Sequence, residues 1–168
     1  HPFRVLLDQA EGLLSLAKKE GSNHDNGFWS PSFIDFHIGT HSHQLDIETI
    51  RKTEYQIEKG SKTSYMTMRP YEVDKLEELL QFAKTLKKEN FPATKLQQLY
   101  PAPFLGRENG MLRCIEVYAR CKKEERQLLM KTFHAFKCWD KMPWEDEEDK
   151  AATMLTDLID ILEFTDET

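Results

Sequence analysis

The sequence predicts an α+β fold: a small antiparallel β-sheet flanked by an N-terminal helix and a mostly helical C-terminal half. Three patterns carry that prediction. From Glu108 to Trp139, Met111, Cys114, Ile115, Tyr118 and Cys121, then Leu128, Leu129, Phe133 and Phe136, recur at three- and four-residue steps, the period of a helix with one buried side. Ile34, Phe36 and Ile38 alternate with Phe33, Asp35 and His37, the period of a strand with one buried face. Thr53 to Glu58 and Thr63 to Met68 flank Lys59-Gly60-Ser61-Lys62 as the arms of a hairpin.

The first helix is defined by Phe3, Leu6, Leu7, Ala10, Leu13, Leu14 and Ala17, which form one apolar stripe. Lys18 and Lys19 suit its C-terminal dipole, and Gly21 is its stop. A polar loop of turn-formers runs from Gly21 to Gly27. After the strand at 34–38, Leu45, Ile47 and Thr49 suggest a second strand, followed by the hairpin, so the sheet spans about residues 32–69. A helix over the same stretch is the competing reading, with Asp46 as cap, Ile47, Ile50, Glu54 and Ile57 as its stripe and Gly60 as its stop. The strand reading is preferred.

Pro70 opens a helix of about 71–89, with Val73, Leu76, Leu79, Leu80, Ala83 and Leu86 on one side. Glu72, Asp74, Glu77 and Glu78 precede Lys84, Lys87 and Lys88, the order that complements a helix dipole. Thr94 and Gln97 resemble a capping box for one short turn. Pro101 to Gly106 is the stiffest stretch and the best candidate for a subdomain boundary. The central stretch 108–139 reads either as one long helix with a polar middle, Lys122 to Arg126, or as two helices meeting there, and the single helix is preferred. A corner containing Trp139, Pro143 and Trp144 follows. The last helix then opens on the acidic run Glu145-Asp146-Glu147-Glu148-Asp149, with Ala151, Met154, Leu155, Leu158, Ile161 and Leu162 beneath.

At 168 residues the chain reads as one domain, its β-containing part about 1–90 and its helical part about 104–168. Hydrophobic residues make up 39% and charged residues 31%, and no apolar run approaches a membrane span, which predicts no membrane role. His1-Pro2 is neither an initiator Met nor a signal peptide and reads as a trimmed start. Cys114, Cys121 and Cys138 are an odd set. The first two lie roughly 10 Å apart along a helix, too far for a disulfide, so they read as small core residues of a cytoplasmic or otherwise intracellular protein. Residues 142–168 hold ten acidic residues and one basic, whereas 108–141 hold eight basic and five acidic. Opposite fields of this kind draw the two segments together.

One polar cluster has the residue types for chemistry: Asp35, His37, His41, His43 and Asp46. In an extended chain His41 and His43 share a face, so with His37 and Asp46 they form a candidate zinc site. Thr40-His41-Ser42-His43-Gln44-Leu45-Asp46 resembles the His-x-His-x-Asp-His motif of metallo-β-lactamase-type hydrolases. It departs from that motif in placing the aspartate one position late and in having no histidine after it. The resemblance implies a small metal-dependent hydrolase that activates a bound water.

Phosphate-cradling loops, dinucleotide fingerprints, nucleophile elbows and Cys-x-x-Cys pairs are missing from the sequence. Cys138 and His134, four apart, form a possible thiol–imidazole pair, but the apolar neighbourhood favours burial. Asp157, Asp160 and Glu163 read as a solvated acidic stripe. A β-meander displaying Phe33, Phe36, Tyr55 and Tyr65 among Arg51, Lys52, Lys59, Lys62 and Arg69 has the makings of a single-stranded nucleic-acid surface, but the net charge of −6 opposes it. The function predicted is therefore non-catalytic, a protein-interaction or regulatory module of a larger assembly with no cofactor. A protein partner is expected at Trp139, Trp144 and the acidic run Glu145, Asp146, Glu147 and Glu148.

Overall fold

A computed structural model describes residues 2–25, 27, 30–38, 45–59 and 61–165. The chain divides into two compact units, residues 1–55 with 69–78 and residues 56–68 with 79–168. Pro101 to Gly106 lies inside the second unit.

In the first unit, α1 (Pro2–Asn23) packs on the strand β1 (Phe33–Ile34) and on α2 (Ile47–Glu54). The sequence expectation of a strand through Leu45, Ile47 and Thr49 is corrected here. Asp46 caps the helix through its side chain, and Ile47 and Ile50, three apart, are the buried pair of a helical stripe. A strand would have sent Ile47 and Ile50 to opposite faces. Of the elements beyond residue 68, β4 (Tyr71–Glu72) pairs antiparallel with β1, Ile34 opposite Tyr71 and Phe33 opposite Glu72. It runs into α3 (Val73–Lys88), whose residues from Leu79 onward belong to the second unit.

The core of the first unit has a charged centre. Arg51 reaches the fully buried Asp35 side chain at 2.6 Å. Arg51 and Arg69 both donate to the Phe36 carbonyl, at 2.9 and 3.2 Å. The Arg69 guanidinium also lies over the Phe36 and Tyr55 rings, 4.8 and 5.1 Å from their centroids. Two guanidiniums and one carboxylate thus organise a segment, 35–38, that has no ladder partner among the described residues.

The second unit is built on a four-stranded sheet in the order β2 (Gln56–Lys59), β3 (Lys62–Tyr65), β6 (Lys150–Ala152), β5 (Glu145–Asp146). The hairpin predicted around Gly60 is β2–β3, and β5–β6 is also antiparallel, whereas β3 and β6 pair parallel, Ser64 opposite Ala151. The α+β class therefore holds, with the C-terminal segment supplying two of the strands. Beyond Tyr65 the chain leaves the ladder, and α7 (Leu155–Leu162) satisfies it. Asp157, fully buried, accepts the Thr67 hydroxyl at 2.7 Å and the Met68 amide at 2.9 Å, and Thr156 donates to the Met66 carbonyl.

Helices α3, α4 (Ala93–Leu99), α5 (Arg107–Ala119) and α6 (Lys123–Ala135) supply the remaining core, with Leu79, Leu86, Leu99, Val117, Leu129, Phe133 and Trp144 all buried. Pro92 is the N-cap of α4, which has no side-chain cap bond, so Thr94 and Gln97 do not form the expected box. A short 3-10 helix, Ala102–Leu105, lies so close to α5 that a Cβ on Gly110 would come within 2.5 Å of the Ala102 carbonyl oxygen. Only glycine permits that approach.

Two further expectations are corrected. The predicted long helix is two, α5 and α6, broken at 120–122. Lys122 is extended, its amide donates to the Glu125 carboxylate at 2.7 Å, and Arg126 donates to the Cys121 carbonyl at 2.9 Å. The polar middle is therefore a helix start, with Glu125 also bound to Lys95. The acidic run does not open the last helix. Glu145 and Asp146 form β5, where Lys137 meets Glu145 and both Arg107 and Lys141 meet Asp146, and the helix begins only at Leu155. Cations from Arg107 and from the preceding corner, Lys137 and Lys141, meet these acids where a helix dipole would offer only a weak pull.

Replacing Asp157 with Ala leaves the Thr67 hydroxyl and Met68 amide buried without this acceptor. The expected loss in urea unfolding, followed by tryptophan fluorescence, is about 2–5 kcal/mol, with Asp157→Asn losing less because one acceptor oxygen remains.

Candidate functional site

Of the residues proposed as zinc ligands, His41 and His43 lie outside the described residues. His37 is partly buried in the segment after β1. Asp46 uses both carboxylate oxygens locally: Oδ1 accepts the Thr49 amide at 2.9 Å and Oδ2 the Thr49 hydroxyl at 2.8 Å. These bonds hold its carboxyl below the usual carboxylate range. Among the described residues no three His, Cys, Asp or Glu side chains gather in metal-binding geometry.

The aromatic platforms are dispersed. Phe36 and Tyr55 flank Arg69 in the first unit, and Phe36 stacks on Tyr71 at 6.5 Å, while Tyr65 stands on β3 of the second unit. Arg51 and Arg69, counted from sequence as cations for a nucleic acid, are instead spent on Asp35 and the Phe36 carbonyl. Lys52, Lys59 and Lys62 are exposed.

Trp144 is 2% exposed and belongs to the core. Trp139 is half-buried, stacked on His134 at 5.0 Å and edge-on to Tyr118 at 5.4 Å. His134 therefore packs on an indole, and Cys138 donates to the Phe136 carbonyl at 3.1 Å. Burial pushes the Cys114 and Cys138 thiols up to about 12, and Cys121 is raised mainly by the same cause. All three cysteines are free and buried, as their spacing predicted. Of the acidic run, Glu147 and Glu148 are exposed in the turn between β5 and β6, with Lys150 3.0 Å from Glu147. Asp157 is no part of a solvated stripe; it is the buried clamp on Thr67 and Met68.

The feature that sequence reasoning misplaced is the apolar side of α1. Of the apolar stripe read from spacing, Phe3, Leu6, Leu7 and Leu14 are exposed, at 74%, 64%, 49% and 54%. The covered side comprises Leu13 and Ala17 of that stripe together with Val5 and Leu16. This helix is apolar over two adjoining sides and only one is packed. The signal was present in the sequence: Val5 and Leu16 lie outside the stripe yet are apolar, so the apolar arc is wider than one buried face needs. Arg4, Asp8, Glu11 and Lys18 are also exposed on this helix.

The chain matches no protein-family model, no curated protein and no solved structure. Among the described residues no helix is long and apolar enough to cross a membrane.

The Asp46 cap makes a pH prediction. Its carboxyl is lowered in the folded state, so its contribution is fully present above the ordinary carboxylate range and is lost as the pH falls through the lowered value. In thermal melts from pH 7 down to about pH 2, Asp46→Asn is expected to lose less stability on acidification than the parent. Parallel curves would contradict the cap.

Proposed function

We propose that the chain is a non-catalytic protein-interaction module of a larger assembly, and that α1 is the surface it offers. The observation that carries this reading is the run of four large apolar side chains left open on one side of that helix, Phe3, Leu6, Leu7 and Leu14. Steps of three, four and seven residues are the spacing with which a helix anchors in a partner's groove. Fully burying a side chain of this size contributes about 1.5–3 kcal/mol, so leaving four in water forgoes a gain that a partner would recover. Contiguous apolar surface rimmed by charge marks contact sites more often than chance, and Arg4, Asp8, Glu11 and Lys18 supply the rim.

The test compares the parent chain with a Leu7→Glu/Leu14→Glu variant as bait in a lysate of its source and in sedimentation velocity. The variant is expected to lose the specific partner, or the self-association, that the parent shows. Its unfolding free energy should shift by no more than about 0.5 kcal/mol, as befits surface positions. Unchanged capture and association, or a loss of roughly 2–5 kcal/mol as for core leucines, would overturn the reading.

A further inference from the structure

A second feature, in the other unit, is independent of α1. The hairpin β2–β3 and the first turn of α5 flank an open cleft of about 320 Å³ lined by Ile57, Lys59, Lys62, Ser64, Leu105 and residues 106–109. It adjoins a second hollow of about 290 Å³ that shares Lys62, Arg107 and Glu108 and adds Met111, Lys141, Trp144 and Asp146.

The charge here runs against the rest of the chain. Four cations, Lys59, Lys62, Arg107 and Lys141, face two carboxylates, Glu108 and Asp146, in a protein of net charge −6. Asp146 is already held by Arg107 and Lys141. Lys59 and Lys62 stand directly opposite each other in the β2–β3 register, and among the described residues neither makes an ion pair. Like charges at facing strand positions repel.

The start of α5 adds hydrogen-bond donors to the cations. Gly106, at φ +81°, is the N-cap of α5 and has no side chain to cap it, so the first amides of a 13-residue helix border the cleft without an N-cap side-chain bond. Trp144, 2% exposed, lines the inner hollow, its indole N–H sealed from solvent beside Gly110 in the first turn of α5. Ile57 and Leu105 form an apolar wall, and the volume falls in the range of roughly 300–1,000 Å³ typical of small-ligand sites, more than a bare ion requires.

We propose that this cleft binds a small organic phosphate. Lys59, Lys62 and the first amides of α5 take the phosphate oxygens, and Ile57 and Leu105 take the organic part.

The full chain is titrated with inorganic phosphate and with phenyl phosphate at constant ionic strength, sodium chloride serving as control, while backbone amide resonances are followed by NMR. The expected result is saturable shifts at Arg107, Glu108 and Asn109 with both phosphates and none with chloride, phenyl phosphate binding several-fold more tightly. Lys59→Ala/Lys62→Ala, at two exposed positions, should weaken both by about tenfold or more without a fall in melting temperature. The proposal is overturned by the absence of saturable shifts, by equal affinity for the two phosphates, or by insensitivity to the double variant. Binding of an oligothymidylate while neither small phosphate binds would likewise overturn it, by making the anion part of a polymer.

Discussion

The carboxylate of Asp157 is the constraint on which the second unit depends. Strand β3 leaves its ladder at Tyr65, and Met66 to Met68 continue into the interior without a paired strand. Buried backbone groups need partners, and here α7 supplies them: Asp157 to the Thr67 hydroxyl and Met68 amide, Thr156 to the Met66 carbonyl. The connection into that helix follows the same logic. Thr153 donates its amide to the Tyr65 carbonyl at 3.1 Å, and its hydroxyl accepts the Leu155 amide at 3.2 Å. With the helix so placed, β6 lies parallel beside β3, and β5 with its acids pairs on the far side.

Much of this was legible in the sequence wherever the deciding contact is local. Helices α1 and α3 follow from spacing, and the β2–β3 hairpin from its turn residues. The errors occurred where the deciding partner is remote. Glu125 starts α6 by bonding to its own neighbour Lys122, but it is also bound to Lys95, thirty residues away. The acidic run reads locally as a helix start, yet Asp146 is claimed by Arg107. Asp157 reads as one of three solvated acids because Thr67, ninety residues earlier, leaves no trace in local periodicity. The Asp46 stretch is different, since cap and stripe were both visible and the helical alternative was at hand.

The candidate surfaces show the same division. Spacing identifies α1 as apolar but says nothing of which side is covered, because that depends on what packs against it; Phe3 and Leu7 are open while Leu13 and Ala17 are not. Arg51 and Arg69 looked like free cations until the fold brought Asp35 and the Phe36 carbonyl to them. Lys59 and Lys62 make no ion pair among the described residues, and only the strand register reveals that they oppose each other beside a cleft. Trp144 shows the converse, a residue type favoured at interfaces that serves the core.

The most direct test of the Asp157 constraint is native-state amide hydrogen exchange at Met68. The account predicts protection comparable to that of the paired amides of β3 and β6, although Met68 belongs to no strand. Exchange at the rate of an exposed loop would mean that the buried carboxylate does not hold this segment, and the placement of α7 against it would have to be abandoned.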